Sequence, residues 1–212
     1  MSHLLLQPQA RVLFQGDSIT DAGRSREDDN WMGAGYAQMI AAWLTARYPA
    51  RQLSFINRGI GGNRIYDLET RWTDDCIRLQ PDWVSILIGI NDTWRRYDSN
   101  VPSPIVEFEA CYRRLLERVK TETHARIIIL EPFVLPVPAD RERWRDDLDP
   151  RIDAIRRVSR DFQALYIPLD GLFAAASTQQ PPVNWANDGV HPTMAGHALI
   201  SQAWIKALEE DY

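Results

Sequence analysis

Near-continuous apolar runs are the feature that most limits the fold of this chain. The segment Trp83–Ile90 reads WVSILIGI, and Arg126–Leu130 reads RIIIL. A strand with one face in water alternates apolar and polar residues, whereas a strand that is covered on both faces does not need to alternate. These segments therefore predict parallel strands buried between helices, with Trp83–Ile90 near the centre of the sheet.

Amphipathic helices separate the apolar runs. Between the segment Leu53–Asn57 and Trp83, apolar residues recur at spacings of three and four, the period of a helix with one buried face; they are Ile65, Leu68, Trp72, Cys76 and Leu79. Right-handed crossovers place such helices on the two faces of a parallel sheet. We therefore predict one α/β domain over residues 1–212, a three-layer α/β/α arrangement around a five-stranded parallel sheet.

The predicted elements alternate along the chain. The strands are Val12–Phe14, Leu53–Asn57, Trp83–Ile90, Arg126–Leu130 and Leu165–Leu169. The helices are Gly35–Tyr48, Ile65–Leu79, one that Ser103 caps before Pro104, one that Asp149 and Pro150 open, Leu172–Ala176 and Thr193–Glu209. Two polar or proline-rich segments, Asn91–Pro102 and Glu131–Asp147, are predicted to be loops.

Composition and charge argue against several classes of function. The chain has 212 residues and a net charge of -5, without the clustered Lys and Arg of a nucleic-acid-binding surface. Its first residues do not resemble a signal peptide, and no stretch reaches the roughly 18 apolar residues of a membrane span. We therefore expect a cytoplasmic protein with no nucleic-acid or membrane partner. Cys76 and Cys111 are expected to be buried free thiols, since neither lies in a metal-binding or disulfide pattern.

A serine follows the first predicted strand. Val12–Phe14 leads through Gly16 to Ser18, so the backbone turns sharply where the strand ends. In open α/β sheets, ligands bind beyond the carboxyl ends of the strands, and Ser18 is expected to lie there. Considered alone, a serine in this position is more often a helix cap or a turn residue. Its interpretation as a nucleophile depends on three other segments.

Asp188 and His191 form a second part of the candidate site. Imidazole is the side chain whose ordinary pKa lies nearest neutral pH, which suits His191 to act as the general base for a serine. Asp188, three residues earlier, can orient the imidazole and stabilise its protonated form. The alternative is an aspartate that starts a helix beside an unrelated surface histidine.

Two further segments offer hydrogen-bond donors for an oxyanion. Gly62 lies in a glycine-rich loop after the second strand, where its N–H is not blocked by a side chain and its φ can be positive. Asn91 follows the third strand and can donate from its side-chain amide. Alone, Gly62 is more often a turn residue, and Asn91 is more often a cap. Their occurrence together with Ser18 favours a catalytic site.

The four segments together resemble the SGNH hydrolases, also called GDSL esterases and lipases. The Gly-Asp-Ser sequence ending at Ser18 matches the first block of that family, Gly62 the second, and the segment around Asn91 the third. Asp188 and His191 match the fifth block, and all of these blocks occur in the order of the family. The resemblance implies a flavodoxin-like fold and ester hydrolysis without a metal or other cofactor. The implied catalytic triad is Ser18, Asp188 and His191, and the implied oxyanion hole consists of the Ser18 and Gly62 N–H groups and the Asn91 amide.

Two longer segments, Gly16–Arg24 and Asp82–Arg95, are similar to the bacterial intracellular acetylxylan esterases. This similarity implies hydrolysis of acetyl esters of xylo-oligosaccharides or related sugars, in a subfamily whose members tend to form homo-oligomers. A lysophospholipase or thioesterase is the alternative among hydrolases. A carbohydrate-binding protein without catalysis on the same scaffold is the alternative outside enzymes.

Aromatic and charged residues in predicted loops are candidates for sugar binding. Trp94, Arg95 and Tyr97 follow Asn91 closely, and Trp185 precedes the segment of Asp188 and His191. The same residues can instead pack loops or form a subunit interface. Four tryptophans lie in predicted loops, Trp31, Trp94, Trp144 and Trp185, whereas core packing explains Trp43, Trp72, Trp83 and Trp204.

Other polar residues are expected to have structural roles. Asp17 and Asp92 neighbour the candidate site and are interpreted as hydrogen-bond partners that fix loops. His124 and His197 have no neighbouring set of ligands, so we predict no metal site.

Overall fold

A five-stranded, all-parallel sheet forms the centre of the protein. The computed structural model describes residues 3–210. In chain order the strands are β1 (His3–Leu4), β2 (Arg11–Gly16), β3 (Ser54–Asn57), β4 (Trp83–Leu87), β5 (Arg126–Leu130), β6 (Leu165–Ile167) and β7 (Glu209–Glu210). The central sheet has the order β3-β2-β4-β5-β6, and β1 and β7 form a separate antiparallel pair.

Each strand of the central sheet is connected by one or more helices to the next strand of that sheet in the sequence. The helices are α1 (Ser18–Asp21), α2 (Tyr36–Arg47), α3 (Ile65–Asp75), α4 (Ile90–Asp98), α5 (Ile105–Glu122), α6 (Arg145–Asp161), α7 (Leu169–Ser177) and α8 (Met194–Leu208). Short 3₁₀ helices occupy Pro49–Arg51, Ile77–Leu79, Ala139–Trp144 and Pro182–Asn184. The predicted α/β fold with five parallel strands is confirmed. Within the described residues, no helix combines the length and the apolar character needed to cross a membrane.

The sheet separates two apolar layers. Phe14 of β2 packs with α2 and α8 on one face, and its neighbour Leu13 packs with α3 and α5 on the other. Strand β4 lies in the middle of the sheet, and all of its residues are buried, as its apolar sequence predicts. Cys76 and Cys111 are buried free thiols in the second layer, which confirms that prediction.

The segment after β4 is a helix, although the sequence predicted a loop. Strand β4 ends at Leu87 rather than at Ile90, and α4 covers most of the predicted loop Asn91–Pro102. Tertiary contacts hold this polar helix in place; for example, Thr93 Oγ1 donates to Asp147 Oδ2 at 2.8 Å. Because Asp147 is remote in the sequence, this contact cannot be predicted from the residues of α4 alone.

Two predicted helix starts are also wrong. The Ser103 hydroxyl does not cap α5, because it donates to the buried carboxylate of Asp92 at 2.9 Å. Helix α6 begins at Arg145, so Pro150 lies inside the helix rather than at its start. The Arg145 guanidinium pairs with both oxygens of Asp170 at 2.6 and 2.9 Å, and this contact anchors the additional first turn. The predicted loop between β5 and α6 is correspondingly shorter.

Three tryptophans lie in environments that differ from the prediction. Trp94 lies on α4, and Trp144 ends a 3₁₀ helix and is only 2% exposed, so neither is a loop residue. Trp43 was expected in the core, but it is 42% exposed because it lies on the outer side of α2. Trp72 and Trp204 are fully buried in opposite layers, as predicted.

A buried ion pair supports α4 from below. The Arg151 guanidinium on α6 is fully buried and donates to Asp147 Oδ2 at 2.8 Å and to the Ser103 carbonyl at 3.0 Å. Asp147 also accepts the hydroxyl of Thr93 from α4. The network therefore connects α4, the segment before α5, and α6.

Replacement of Asp147 by alanine is expected to lower the free energy of unfolding by about 3–5 kcal/mol, because it leaves Arg151 as a buried charge without its partner. The matched control is Asp74→Ala, which removes a pair with Arg78 whose side chains are 68% and 72% exposed. That change is expected to cost less than about 1 kcal/mol. Urea unfolding at pH 7 measures both values, and equal effects would contradict the structural role of the buried pair.

Candidate active site

The turn after β2 places Ser18 at the start of α1. A Cβ atom on Gly16 would lie 2.3 Å from Thr20 Oγ1 and 2.4 Å from the Leu87 carbonyl oxygen, so only glycine fits between α1 and the end of β4. Asp17, rather than Ser18, caps α1, because its Oδ1 accepts the Ile19 N–H at 3.0 Å. The Ser18 hydroxyl is therefore not used as a helix cap.

Ser18, His191 and Asp188 form a continuous chain of hydrogen bonds. Ser18 Oγ lies 2.9 Å from His191 Nε2, and His191 Nδ1 lies 2.7 Å from Asp188 Oδ2. The carboxylate next to Nδ1 favours the tautomer that carries its proton there, which leaves the Nε2 lone pair toward the serine. The predicted nucleophile, base and orienting acid thus lie in contact.

Backbone contacts fix the carboxylate of Asp188. Its Oδ1 accepts the N–H groups of Val190 at 3.0 Å and His191 at 2.7 Å. Partial burial raises the pKa of Asp188, but the hydrogen bonds from the His191 ring and these backbone donors outweigh burial and hold that pKa below its ordinary value. Asp188 therefore remains ionised at neutral pH, as a carboxylate that stabilises an imidazolium must be.

Gly62 and Asn91, the two further residues predicted to donate hydrogen bonds to an oxyanion, lie beside Ser18. Gly62 has a φ of +81°, which confirms the expectation of a positive φ in its loop. Asn91 lies in the first turn of α4, and its Nδ2 donates to the Asn63 carbonyl oxygen at 3.1 Å. These residues line one cleft of about 240 Å³ together with Ser18, Trp94, Arg95, Asp98 and His191. The segments that follow three neighbouring strands therefore meet at one site.

The structure separates the four candidate sugar-binding residues into two pairs. Trp94 and Arg95 line the cleft, and the Trp94 ring centroid lies 5.7 Å from that of His191. Tyr97 stacks on Trp144 at 5.6 Å and donates its hydroxyl hydrogen to the Arg143 carbonyl. Tyr97 and Trp185 are both absent from the cleft lining, and Trp185 packs against the core.

Sequence reasoning missed Asp98 as a cleft residue. Its Oδ2 accepts from Arg95 Nη1 at 2.6 Å, three positions earlier on α4. This spacing is a common ion-pair spacing on a helix, so it would have been informative if the segment had been recognised as helical.

Two buried acids lie below the cleft. Burial raises the pKa of Asp17 to about 7, and Asp17 Oδ2 has no hydrogen-bond partner. Burial also raises the pKa of Asp92 to about 6, although Asp92 accepts hydrogen bonds from the Ile65 N–H and the Ser103 hydroxyl. Both carboxyl groups contact backbone N–H groups, in agreement with their expected role in fixing loops.

His197 is also buried, and burial lowers its pKa to about 4. Its Nδ1 accepts the Tyr36 N–H at 3.2 Å, so His197 is a neutral structural residue between α2 and α8. Across the part of the chain that the structure describes, no group of three or more His, Cys, Asp or Glu side chains is arranged to hold a metal ion.

Comparison with known proteins agrees with this architecture. Residues 14–199 match the GDSL-like Lipase/Acylhydrolase family. The chain is 33% identical over 206 residues to an acetylxylan esterase of Geobacillus stearothermophilus, with 93% of each chain aligned. The fold and the site define a class of protein, the α/β-fold hydrolases with a hydrogen-bonded Ser–His–Asp arrangement. The family match identifies the family within that class: the chain belongs to the GDSL-like lipases and acylhydrolases. It is a carboxylic ester hydrolase.

Solved structures give the same result for the whole fold. A protein described as a GDSL-like lipase from Parabacteroides merdae has a TM-score of 0.92 at 36% identity, with 96% of this chain and 97% of that chain covered. Axe2, an acetylxylan esterase from Geobacillus stearothermophilus, has a TM-score of 0.90 at 31% identity, with 98% of each chain covered. Two Axe2 variants, one with a serine and one with a histidine replaced by alanine, are described as catalytic mutants.

The buried carboxyl of Asp17 predicts a pH-dependent effect on stability. Its pKa rises from 3.8 to about 7 on folding, so the folded state binds the proton more tightly and stability falls between these pH values as pH rises. Asp17→Asn removes this loss. The free energy of unfolding of the variant, minus that of the parent, is expected to be about 2–3 kcal/mol higher at pH 8 than at pH 5.

Urea unfolding at both pH values measures this difference. Asp74→Asn serves as the control, because it makes the same change from acid to amide at a side chain that is 68% exposed rather than buried. A pH-independent effect of Asp17→Asn would contradict the raised pKa.

Proposed function

We propose that the protein hydrolyses short-chain acyl esters through an acyl-enzyme on Ser18. The observation that carries this proposal is the hydrogen-bonded chain from Ser18 Oγ through His191 to Asp188 at 2.9 and 2.7 Å. The catalytic-mutant descriptions of Axe2 variants at a serine and a histidine support the same assignment.

The geometry suits a two-step acyl transfer. In the first step, His191 Nε2 takes the proton of the Ser18 hydroxyl while Oγ attacks the ester carbonyl. The imidazolium then gives that proton to the leaving alcohol, and the acyl group remains on Oγ. In the second step, His191 activates a water molecule in the same way, which releases the carboxylic acid and regenerates Ser18.

Three donors are proposed to stabilise the negatively charged oxygen of each tetrahedral intermediate. They are the backbone N–H groups of Ser18 and Gly62 and the Nδ2 amide of Asn91, all of which belong to residues lining the cleft. The amide of Asn91 is held by the Asn63 carbonyl at 3.1 Å, so it is oriented before a substrate binds. Such preorganised donors typically contribute on the order of 10²–10³ in rate each.

We further propose that the substrate is an acetylated sugar, such as an acetylated xylo-oligosaccharide. The acetylxylan esterase relative supports this class. The cleft agrees with it, since Trp94 offers a flat ring and the Arg95–Asp98 pair offers both donors and acceptors for hydroxyl groups. A long acyl chain would instead have to lie against these charges, which disfavours the lysophospholipase and thioesterase alternative. The homo-oligomeric state and the cytoplasmic location stay predictions from the sequence.

Ser18→Ala is expected to lower kcat for a short aryl acetate by about 10⁴-fold or more, because the acyl-enzyme can no longer form. Initial-rate assays of the purified protein measure this effect. Ser54→Ala is the matched control, since Ser54 is an exposed residue at the amino end of β3 and is expected to leave kcat unchanged. Comparable turnover by both variants would refute Ser18 as the nucleophile.

A series of aryl esters of increasing acyl length tests the substrate class. The polar lining of the cleft predicts the highest kcat/KM for acetate and a steady decrease toward acyl groups of eight carbons, together with deacetylation of acetylated xylo-oligosaccharides. A maximum at eight or more carbons would instead support a lipase or thioesterase.

A further inference from the structure

The guanidinium of Arg71, on α3, connects two strand ends beside the active site. Its Nη2 donates to the Gly16 carbonyl at 3.2 Å, and its Nη1 donates to the Arg58 carbonyl at 2.8 Å. Gly16 ends β2 shortly before Ser18, and Arg58 follows β3 and leads into the loop of Gly62. One side chain therefore holds together the two segments that carry these proposed donors.

Arg71 also reaches the third donor through Asn63. Its Nε donates to Asn63 Oδ1 at 2.9 Å, and the backbone carbonyl of the same asparagine accepts Nδ2 of Asn91 at 3.1 Å. Asn63 directly follows Gly62, so this contact restrains the glycine loop as well. Short chains of backbone and hydrogen bonds thus connect all three donors to one guanidinium.

We propose that Arg71 is a positioning residue for the oxyanion hole, which sets the relative places of Ser18, Gly62 and Asn91 without contacting the substrate. Its side chain is only 14% exposed and is not part of the cleft lining. This inference rests on the esterase mechanism proposed above. It assigns to Arg71 a role in the transition state, since the oxyanion donors act there and not in substrate binding.

The contacts require an arginine. Its planar fork presents five N–H donors in diverging directions, and here it spans carbonyl groups from β2 and from the segment after β3. Nη1 also donates to Asp75 Oδ2 at 2.9 Å and to Gln15 Oε1 at 3.0 Å, and these contacts further restrain the orientation of the fork. A lysine carries its three donors on one nitrogen and cannot reach both Gly16 and Asn63 in this way.

A general contribution to stability is the competing explanation, and kinetics separates the two. Displacement of a reacting or stabilising group by about 1 Å typically costs on the order of 10²-fold in rate. Arg71→Gln is therefore expected to lower kcat for an aryl acetate by about 10–100-fold while KM changes by less than about 3-fold. A purely structural residue would lower the folded fraction but leave kcat per folded molecule unchanged.

Two control variants match Arg71→Gln in different respects. Arg114→Gln removes an exposed pair, at 2.6 and 3.0 Å, between Arg114 on α5 and Glu69 on α3, the helix that carries Arg71. Leu115→Ala lowers stability in the buried layer beneath α3 without touching the strand ends. Both are expected to keep kcat within about 2-fold of the parent, at a temperature where circular dichroism shows each variant to be folded.

Combination with Asn91→Ala gives the decisive measurement. If Arg71 acts through the oxyanion donors, Arg71→Gln lowers kcat at least about fivefold less in the Asn91→Ala background than in the parent, because Asn91, the one of the three donors that Arg71 reaches through Asn63, is already gone. Additive effects within about 2-fold would overturn the inference. Arg71→Lys is tested in the same cycle and is expected to recover stability more fully than kcat.

The remaining outcomes are also decisive. Parental kcat in Arg71→Lys overturns the inference, as does a loss of activity in Arg71→Gln that only follows KM or the folded fraction. If Arg71→Gln does not fold, the Arg71→Lys cycle decides by the same criteria. Failure of the proposed function would instead appear as hydrolysis by the parent that survives Ser18→Ala, so the two failures are distinguishable.

Discussion

The parallel pairing of β2 with both β3 and β4 brings the parts of the site together. In this register Phe14 lies beside Asn57 of β3 and beside Ser85 of β4, so the three strands end at the same edge of the sheet. The segments that follow carry Ser18, Gly62 and Asn91. Because residues of the apolar layers cover both faces, this edge is where the strands can open onto a ligand.

Polar contacts below the cleft convert this proximity into a defined geometry. The last residue of β2 and the residue after β3 are joined by the Arg71 guanidinium, and α4 is held from below by Asp147 and its buried partner Arg151. Removal of one partner from such a buried network leaves a charge or dipole without compensation. The segments that line the cleft are therefore held by buried polar groups, each of which makes several hydrogen bonds.

The electrostatics of the site follow from differences in solvation. Asp188 is partly exposed and accepts three hydrogen bonds, so it stays ionised next to His191. Asp17, next to Ser18 in sequence, is fully buried with one unpartnered oxygen, and its pKa rises to about 7. Two aspartates near one serine thus have different protonation behaviour because their environments differ. The residue type alone would not distinguish them.

The sequence by itself determined the parallel sheet, the central place of β4 and the buried layers, and it predicted that Ser18, Gly62, Asn91, Asp188 and His191 belong to one site. Apolar runs and helical spacing are local signals, and the motifs lie at strand ends, which parallel topology brings to one edge. Only the tertiary structure decided that the residues after β4 form a helix, that Ser103 donates a hydrogen bond to Asp92 rather than capping α5, and that Trp43 faces solvent. It also separated Trp94 and Arg95, which line the cleft, from Tyr97 and Trp185, which do not. Those outcomes depend on partners remote in the chain, such as Asp147 for α4, whose contacts outweigh local preference once the layers are packed.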